Sequence, residues 1–125
     1  MHIAEYQSWL EAYDRARGFD RVQPAQTLVH ALEEMGEIAR EVLYLEGYRE
    51  SDDLDECRAR LAGELADCMT FLFKLAYQFG IDMEDALQAN QGKANDRFPV
   101  EEGRQMAMRY LARQRERQRR EETGD

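Results

Sequence analysis

Apolar residues recur every three to four positions along most of this chain, which is the spacing of amphipathic α-helices. The sequence has neither alternating valine, isoleucine and threonine runs nor an Asn-Gly turn, so strands are not expected. Pro24 suits the first turn of a helix, and glycines follow several of the apolar stretches. The pattern predicts helices at about 3–16, 24–45, 54–79, 83–95 and 101–119.

These helices predict an all-α fold, a four- to five-helix bundle formed by residues 1–112, with a charged, frayed tail at 113–125. The third helix is apolar nearly all round, which is typical of a helix buried on every side and suggests that dimerisation completes the bundle. The apolar stripe of the second helix consists of Leu28, Leu32, Met35, Ala39 and Val42, and the positions of the third helix expected to face inward are Leu61, Leu65, Cys68, Leu72 and Leu75. Core or interface positions are expected at Tyr6, Phe73, Tyr77 and Phe79.

The composition narrows the possible partners. The net charge of −9 argues against binding a nucleic acid polymer or an anionic membrane. The two cysteines, Cys57 and Cys68, fit neither a disulfide framework nor a zinc motif. No stretch approaches the ~18 apolar residues of a membrane span, and the first residues do not resemble a signal peptide. We therefore expect a cytoplasmic protein.

Two acidic motifs carry the candidate chemistry, Glu33-Glu34-Met35-Gly36-Glu37 and Glu64-Leu65-Ala66-Asp67. In each motif two carboxylates stand three residues apart, so they share one helix face. Two such faces turned toward each other form a four-carboxylate pocket without a counter-charge. Oxygen-only ligands favour Mg²⁺, Mn²⁺ or Ca²⁺, and such ions point to phosphate chemistry.

The alternative interpretation is a solvated glutamate-rich helix face. The acids adjoin apolar positions instead of lying opposite them, which weakens that interpretation. A ferritin-like di-iron site needs Glu-x-x-His on two helices, and neither motif contains histidine. We expect His30, one turn before Glu34, to lie beside the site or on the surface.

The motifs resemble those of the MazG-like nucleotide pyrophosphohydrolases, the all-alpha NTP pyrophosphatases. The run Phe79-Gly80-Ile81-Asp82-Met83-Glu84-Asp85-Ala86 resembles the stretch after the family's second motif, and Lys93-Ala-Asn-Asp-Arg-Phe-Pro99 resembles its closing segment. The resemblance covers roughly Trp9 to Pro99. It implies a magnesium-dependent hydrolase, with manganese as a substitute, that cleaves a nucleoside triphosphate between the α and β phosphates.

Carried over by position, the resemblance implies that Glu34, Glu37, Glu64 and Asp67 bind the metal. Glu33 would stand beside them as a supporting carboxylate or as a base that orients water. Lys93, Asn95 and Arg97 would hold the phosphates, although many relatives carry lysine at the position of Asn90 and asparagine at that of Ala94. Family members form dimers, or tetramers built from dimers.

Four aromatic residues are candidates for binding the base, Trp9, Phe19, Tyr44 and Phe71, since stacking accepts any base. Two other functions remain open at this point. One is a non-catalytic helical oligomer that serves as a binding or scaffold module. The other is an enzyme that resembles the phosphoribosyl-ATP pyrophosphohydrolases, which the Gly-Ile-Asp and Arg-Phe-Pro segments disfavour.

Overall fold

The computed structural model describes residues 1–124, and that part of the chain contains five α-helices and no strand. The chain forms two compact units, residues 1–86 and 87–125. The predicted division at residue 112 stays a prediction. The elements are α1 (Ile3–Arg17), a 3₁₀ turn (Phe19–Arg21), α2 (Pro24–Leu45), α3 (Leu54–Gln78), α4 (Met83–Arg97) and α5 (Val100–Thr123).

Local signals in the sequence set the helix ends. Gly18 ends α1 with φ of 77°, a conformation that glycine adopts without a steric penalty. The carboxylate of Asp53 accepts a hydrogen bond of 3.0 Å from the amide of Glu56 at the start of α3. Asp82 caps α4 in the same way. These ends agree closely with the predicted ones, and α5 continues four residues beyond its predicted end at Arg119.

The largest contact in the first unit is the antiparallel pair α2 and α3. Glu41 meets Arg60, the carbonyl of Ala31 meets the thiol of Cys68, and His30 meets Phe71, so partners run in opposite directions along the two helices. Small side chains at the centre of this contact let the helices approach closely. The pair therefore holds residues of both acidic motifs side by side.

The apolar stripe of α2 is not the stripe that packs against α3. Thr27, Ala31 and Glu41 are the buried residues of α2, whereas Leu32 is 61% exposed. In the first unit α2 packs mainly against α3, so only one stripe of it is covered. Cys68 is buried as predicted, and Leu61 and Leu75 are partly buried. The remaining predicted positions are exposed, namely Leu28, Met35, Ala39 and Val42 on α2, and Leu65 and Leu72 on α3.

The hydrophobic core of the first unit lies between α1 and α3. Leu10, Phe73 and Tyr77 are buried there, and Tyr6 and Met83 pack against them. Each large side chain so buried contributes about 1.5–3 kcal/mol. Tyr6, Phe73 and Tyr77 were expected in the core or an interface and lie in this core. Phe79, which was also expected in the core or an interface, is 65% exposed.

A polar group is buried beside this core. The hydroxyl of Tyr77 donates a hydrogen bond of 2.5 Å to Oδ2 of Asp14, and Nζ of Lys74 lies 3.5 Å from the same oxygen. All three residues are buried. Burying a charge is costly unless it is paired, so each of these groups depends on the others.

Gln7 of α1 joins the turn between α3 and α4. Its side-chain amide donates a hydrogen bond of 2.6 Å to the carbonyl of Ile81 and accepts one of 2.9 Å from the amide of Met83. One side chain thus satisfies two backbone groups at the start of α4.

In the second unit, Phe98 lies against Gly103 at the start of α5, with the backbone oxygen of Phe98 3.9 Å from the position of a Cβ on Gly103. No helix within residues 1–124 has both the length and the apolar character needed to cross a membrane.

Candidate metal centre

Three glutamates from the two acidic motifs meet between α2 and α3. Glu34, Glu37 and Glu64 each contribute a carboxylate oxygen to a group in which all the atoms lie within 4.8 Å of one another. The three-residue step places Glu34 and Glu37 on adjacent turns of α2, and the antiparallel pairing brings Glu64 of α3 to them. We call these three residues the glutamate cluster.

The glutamate cluster forms no ion pair within residues 1–124, and the charge of Arg40 only partly offsets the rise in the pKa of Glu37. The Oε2 atoms of Glu34 and Glu64 are buried without a hydrogen-bond partner. One turn further along α2, Glu41 is neutralised by Arg60 at 2.9 Å. Such unpartnered carboxylate oxygens fit the ligand set of a hard divalent cation.

The carboxylates of the cluster also perturb one another. A hydrogen bond shared with Glu64 raises the pKa of Glu37, and the charge of Glu64 and partial burial add to the effect. The hydrogen bond from Glu37 lowers the pKa of Glu64, but a hydrogen bond with Glu34, burial and the charges of Glu34 and Asp67 outweigh it and raise that pKa overall. Glu37 and Glu64 therefore retain protons more readily than isolated glutamates do.

The other two predicted acids lie at the edge of the cluster. Asp67 is exposed and is near enough for its charge to raise the pKa of both Glu37 and Glu64, but its oxygens are outside the 4.8 Å group. Glu33 is exposed and also lies outside that group, and its Oε2 is 3.9 Å from Nδ1 of His30. The roles of Asp67 as a ligand and of Glu33 as a base stay predictions.

Phe71 is the aromatic candidate that makes a ring contact between α2 and α3, the two helices that carry the cluster. Its ring stacks on His30 with centroids 5.4 Å apart, and the two residues come from α3 and α2. Phe71 follows Glu64 by seven residues, so both lie on the stripe that faces α2. The stacking of His30 on Phe71 was not predicted from the sequence. The position of His30 one turn before Glu34 was the sequence feature that placed it beside the cluster.

The other three candidates lie apart from this pair. Trp9 is 54% exposed and packs between Tyr6 and Tyr13 on α1. Phe19 lies in the 3₁₀ turn, with Nζ of Lys74 5.9 Å from its ring centre. Tyr44 is partly buried in the last turn of α2.

The candidate phosphate-binding residues belong to the second unit. Lys93, Asn95 and Arg97 are exposed on α4, and the guanidinium of Arg97 lies 5.4 Å from the ring centre of Phe98. Lys93 and Arg97 are four residues apart and share a helix face. Their role in holding phosphates stays a prediction.

Comparison with known proteins adds two findings. A family model described as the MazG nucleotide pyrophosphohydrolase domain matches residues 23–100, which include both acidic motifs. The uncharacterized protein YvdC of Bacillus subtilis (strain 168) is 30% identical over 103 residues, covering 78% of this chain and 97% of YvdC. No solved structure matches the chain at a comparable level of significance.

Proposed function

Because the chain belongs to the MazG nucleotide pyrophosphohydrolase domain family, we propose that it is a metal-dependent nucleoside triphosphate pyrophosphohydrolase. It cleaves its substrate between the α and β phosphates and releases a nucleoside monophosphate and pyrophosphate. Removal of unwanted nucleotides from the cellular pool is the role that this reaction serves best.

The observation that carries this proposal is the glutamate cluster. Three carboxylates converge, none of them forms an ion pair among residues 1–124, and two of their oxygens are buried without a hydrogen-bond partner. A cluster of this kind is unfavourable unless it takes up protons or a cation. Mg²⁺, with Mn²⁺ as a substitute, is the cation that suits an all-oxygen site acting on phosphates.

Each residue has a role in this proposal. Glu34, Glu37 and Glu64 hold the metal, and Asp67 adds a fourth carboxylate at the edge. When bound, Mg²⁺ supplies neutralisation of the charge on the departing pyrophosphate. The positions of the glutamates are fixed by the close contact of α2 and α3, so the ligands are arranged before the substrate arrives.

The base of the nucleotide binds at the stacked pair of His30 and Phe71. His30 precedes Glu34 by one helical turn, and Phe71 follows Glu64 by two. A nucleotide whose phosphates lie at the cluster therefore has its base within reach of the two rings. A flat ring pair accepts any base by stacking. Phe71 is therefore favoured over Trp9, Phe19 and Tyr44 among the four candidates.

A second copy of the chain covers the exposed face of α2 and α3. The residues 28, 32 and 35 on α2 and 65, 69 and 72 on α3 repeat with the same helical spacing, and all six are large apolar side chains that are exposed. Since α2 and α3 are antiparallel, these two stripes lie on the same side of the pair. An apolar face of this kind is typical of a subunit interface, here of a homodimer or of a tetramer built from two dimers.

The decisive experiment measures pyrophosphate release. Purified protein is incubated with Mg²⁺ and a panel of canonical, deoxy and damaged nucleoside triphosphates, and the products are separated by ion-exchange chromatography. We expect equal amounts of a monophosphate and pyrophosphate from at least one substrate. Glu37→Gln abolishes turnover, while Glu50→Gln, which changes an exposed loop glutamate, leaves it unchanged.

Other outcomes identify the alternatives. Release of orthophosphate alone contradicts cleavage between the α and β phosphates. Turnover of phosphoribosyl-ATP alone reassigns the substrate and keeps the site. If calorimetry with a non-hydrolysable α,β-methylene nucleotide detects no binding that depends on Mg²⁺, the protein is a binding or scaffold module and not this enzyme.

A further inference from the structure

The last helix, apart from its first residue, lies outside the part of the chain that the family model matches. Residues 23–100 are matched, whereas α5 begins at Val100 and ends at Thr123. An open groove of about 450 Å³ runs along α5 and is lined by apolar residues. Its lining is Phe98, Gly103, Met106, Ala107, Tyr110 and Leu111.

This groove is an amphipathic stripe that the second unit leaves uncovered. Positions 103, 106, 107, 110 and 111 follow the spacing of one helix face. Tyr110 is 66% exposed and Leu111 is 51% exposed. Apolar groups of this size gain free energy when another surface removes them from water.

Opposite charges stand at the two ends of one edge of the groove. Glu102 precedes the groove and Arg113 follows it. A step of eleven positions along a helix corresponds to about three turns, so both residues lie on the same edge. The guanidinium of Arg113 lies 5.0 Å from the ring centre of Tyr110, at the groove itself. Within residues 1–124 neither Glu102 nor Arg113 forms an ion pair. They are about 16 Å apart along one helix and do not reach each other within it.

We propose that this groove binds the same groove of a second copy of the chain, with the two α5 helices antiparallel about a two-fold axis. If the axis passes between positions 107 and 108, the apolar residues of both helices meet at the centre. Glu102 of each copy then lies level with Arg113 of the other, because the two numbers are equally far from the axis. A two-fold interface needs such self-complementarity.

An anionic polymer is the competing occupant, since residues 103–120 contain seven arginines and one glutamate. Part of that charge is already neutralised within the helix, where Arg120 pairs with Glu116 at 3.1 Å and Arg117 pairs with Glu121 at 3.4 Å. A phosphate backbone also leaves the apolar groove in water. A second α5 covers the groove and matches the charges at its edge.

Charge exchange in the full chain tests the pairing. Sedimentation velocity over a range of concentrations measures self-association of Glu102→Arg, Arg113→Glu and the variant that carries both changes. We expect each single change to raise the dissociation constant of one association step about tenfold, because the two-fold axis repeats every repulsive contact. The double variant restores that constant to within about threefold of the wild-type value. Such restoration requires contact between copies, since the two positions do not meet within a helix.

Two control variants isolate the α5 contact. Glu101→Arg makes the same change in charge in the first turn of α5, but on the side away from the groove, and leaves the association unchanged. Leu32→Asp places a charge on the exposed face of α2. The association step that responds to charge exchange at positions 102 and 113 should persist in this variant. The proposal is overturned if no association step responds to the single changes, if the double variant is not restored, or if Leu32→Asp removes the responsive step.

Discussion

The buried group of Asp14, Lys74 and Tyr77 allows a quantitative test of what joins α1 to α3. Oδ2 of Asp14 accepts from the Tyr77 hydroxyl and lies 3.5 Å from Nζ of Lys74. The side chains of Asp14 and Lys74 are only 6% and 11% exposed, so water screens the pair weakly. Asp14→Asn keeps the shape of the side chain and removes its charge.

The expected loss follows from what remains behind. Asp14→Asn leaves the Lys74 ammonium buried without its counter-charge, a change that costs about 3–5 kcal/mol in comparable buried pairs. Tyr77→Phe removes one hydrogen bond and keeps the ion pair, so it costs about 1 kcal/mol. For a chain of this size these losses lower the midpoint of thermal unfolding by about 10–20 °C and about 3–6 °C.

The assay is thermal and urea unfolding of Asp14→Asn, Lys74→Met and the variant with both changes. If the two charges stabilise each other, the double variant recovers about 2 kcal/mol relative to the sum of the single losses. Arg58→Met is the matched control, because Arg58 forms an ion pair with Asp55 in which both side chains are exposed. We expect that control to change stability by less than 0.5 kcal/mol, about the level of an exposed pair.

Two results would refute this reasoning. Additivity of the single losses within about 0.5 kcal/mol means that Asp14 and Lys74 act independently. A loss for Asp14→Asn no larger than that for Tyr77→Phe means that the Lys74 ammonium reaches water without its partner.

Three further predictions concern the cluster, the core and a turn. The pKa values of Glu37 and Glu64 are raised in the folded state, so repulsion between the carboxylates is absent below the ordinary glutamate pKa and grows as pH rises through the raised values. In metal-free protein, Glu37→Gln should therefore gain stability over wild type as pH rises, measured by urea unfolding with a chelator. A gain in stability that is constant with pH contradicts this. Leu10→Ala should cost about 2–5 kcal/mol, since Leu10 is 3% exposed in the core, whereas Val100→Ala at an exposed position should stay within about 0.5 kcal/mol in the same assay. Gly80→Ala should lower the free energy of unfolding by about 1 kcal/mol. Gly80 has φ of 69° and nothing lies within 4 Å of an added Cβ, so only backbone strain opposes the change. An unchanged midpoint of thermal unfolding would show that the turn relaxes.

The helices were predictable from the sequence because their ends depend on nearby residues. Pro24, Asp53 and Asp82 act within one turn of their own positions, and Gly18 needs only its own backbone conformation. The convergence of three glutamates was predictable for a related reason. Their spacing fixes a helix face, and the loop between α2 and α3 is short enough to make the helices neighbours.

The covered stripe of α2 was not predictable in the same way. Leu28, Leu32 and Met35 are the more apolar positions, yet Thr27 and Ala31 are the buried ones. A periodic pattern shows that a helix has an apolar side but does not say how many neighbours it has. The small size of Ala31, which permits close contact with Cys68, decides the orientation, and that contact joins residues 37 positions apart.

The amide of Gln7 has a consequence for how the chain is divided in experiments. Because this one side chain serves both the carbonyl of Ile81 and the amide of Met83, the turn that follows α3 depends on a residue near the amino terminus. A fragment trimmed to positions 23–100 keeps every acidic side chain of interest but loses Gln7 and uncovers the rings of Phe73 and Tyr77. Short expression fragments of this kind should aggregate or lose the ordered turn after α3, so crystallography and binding measurements need the amino-terminal helix retained.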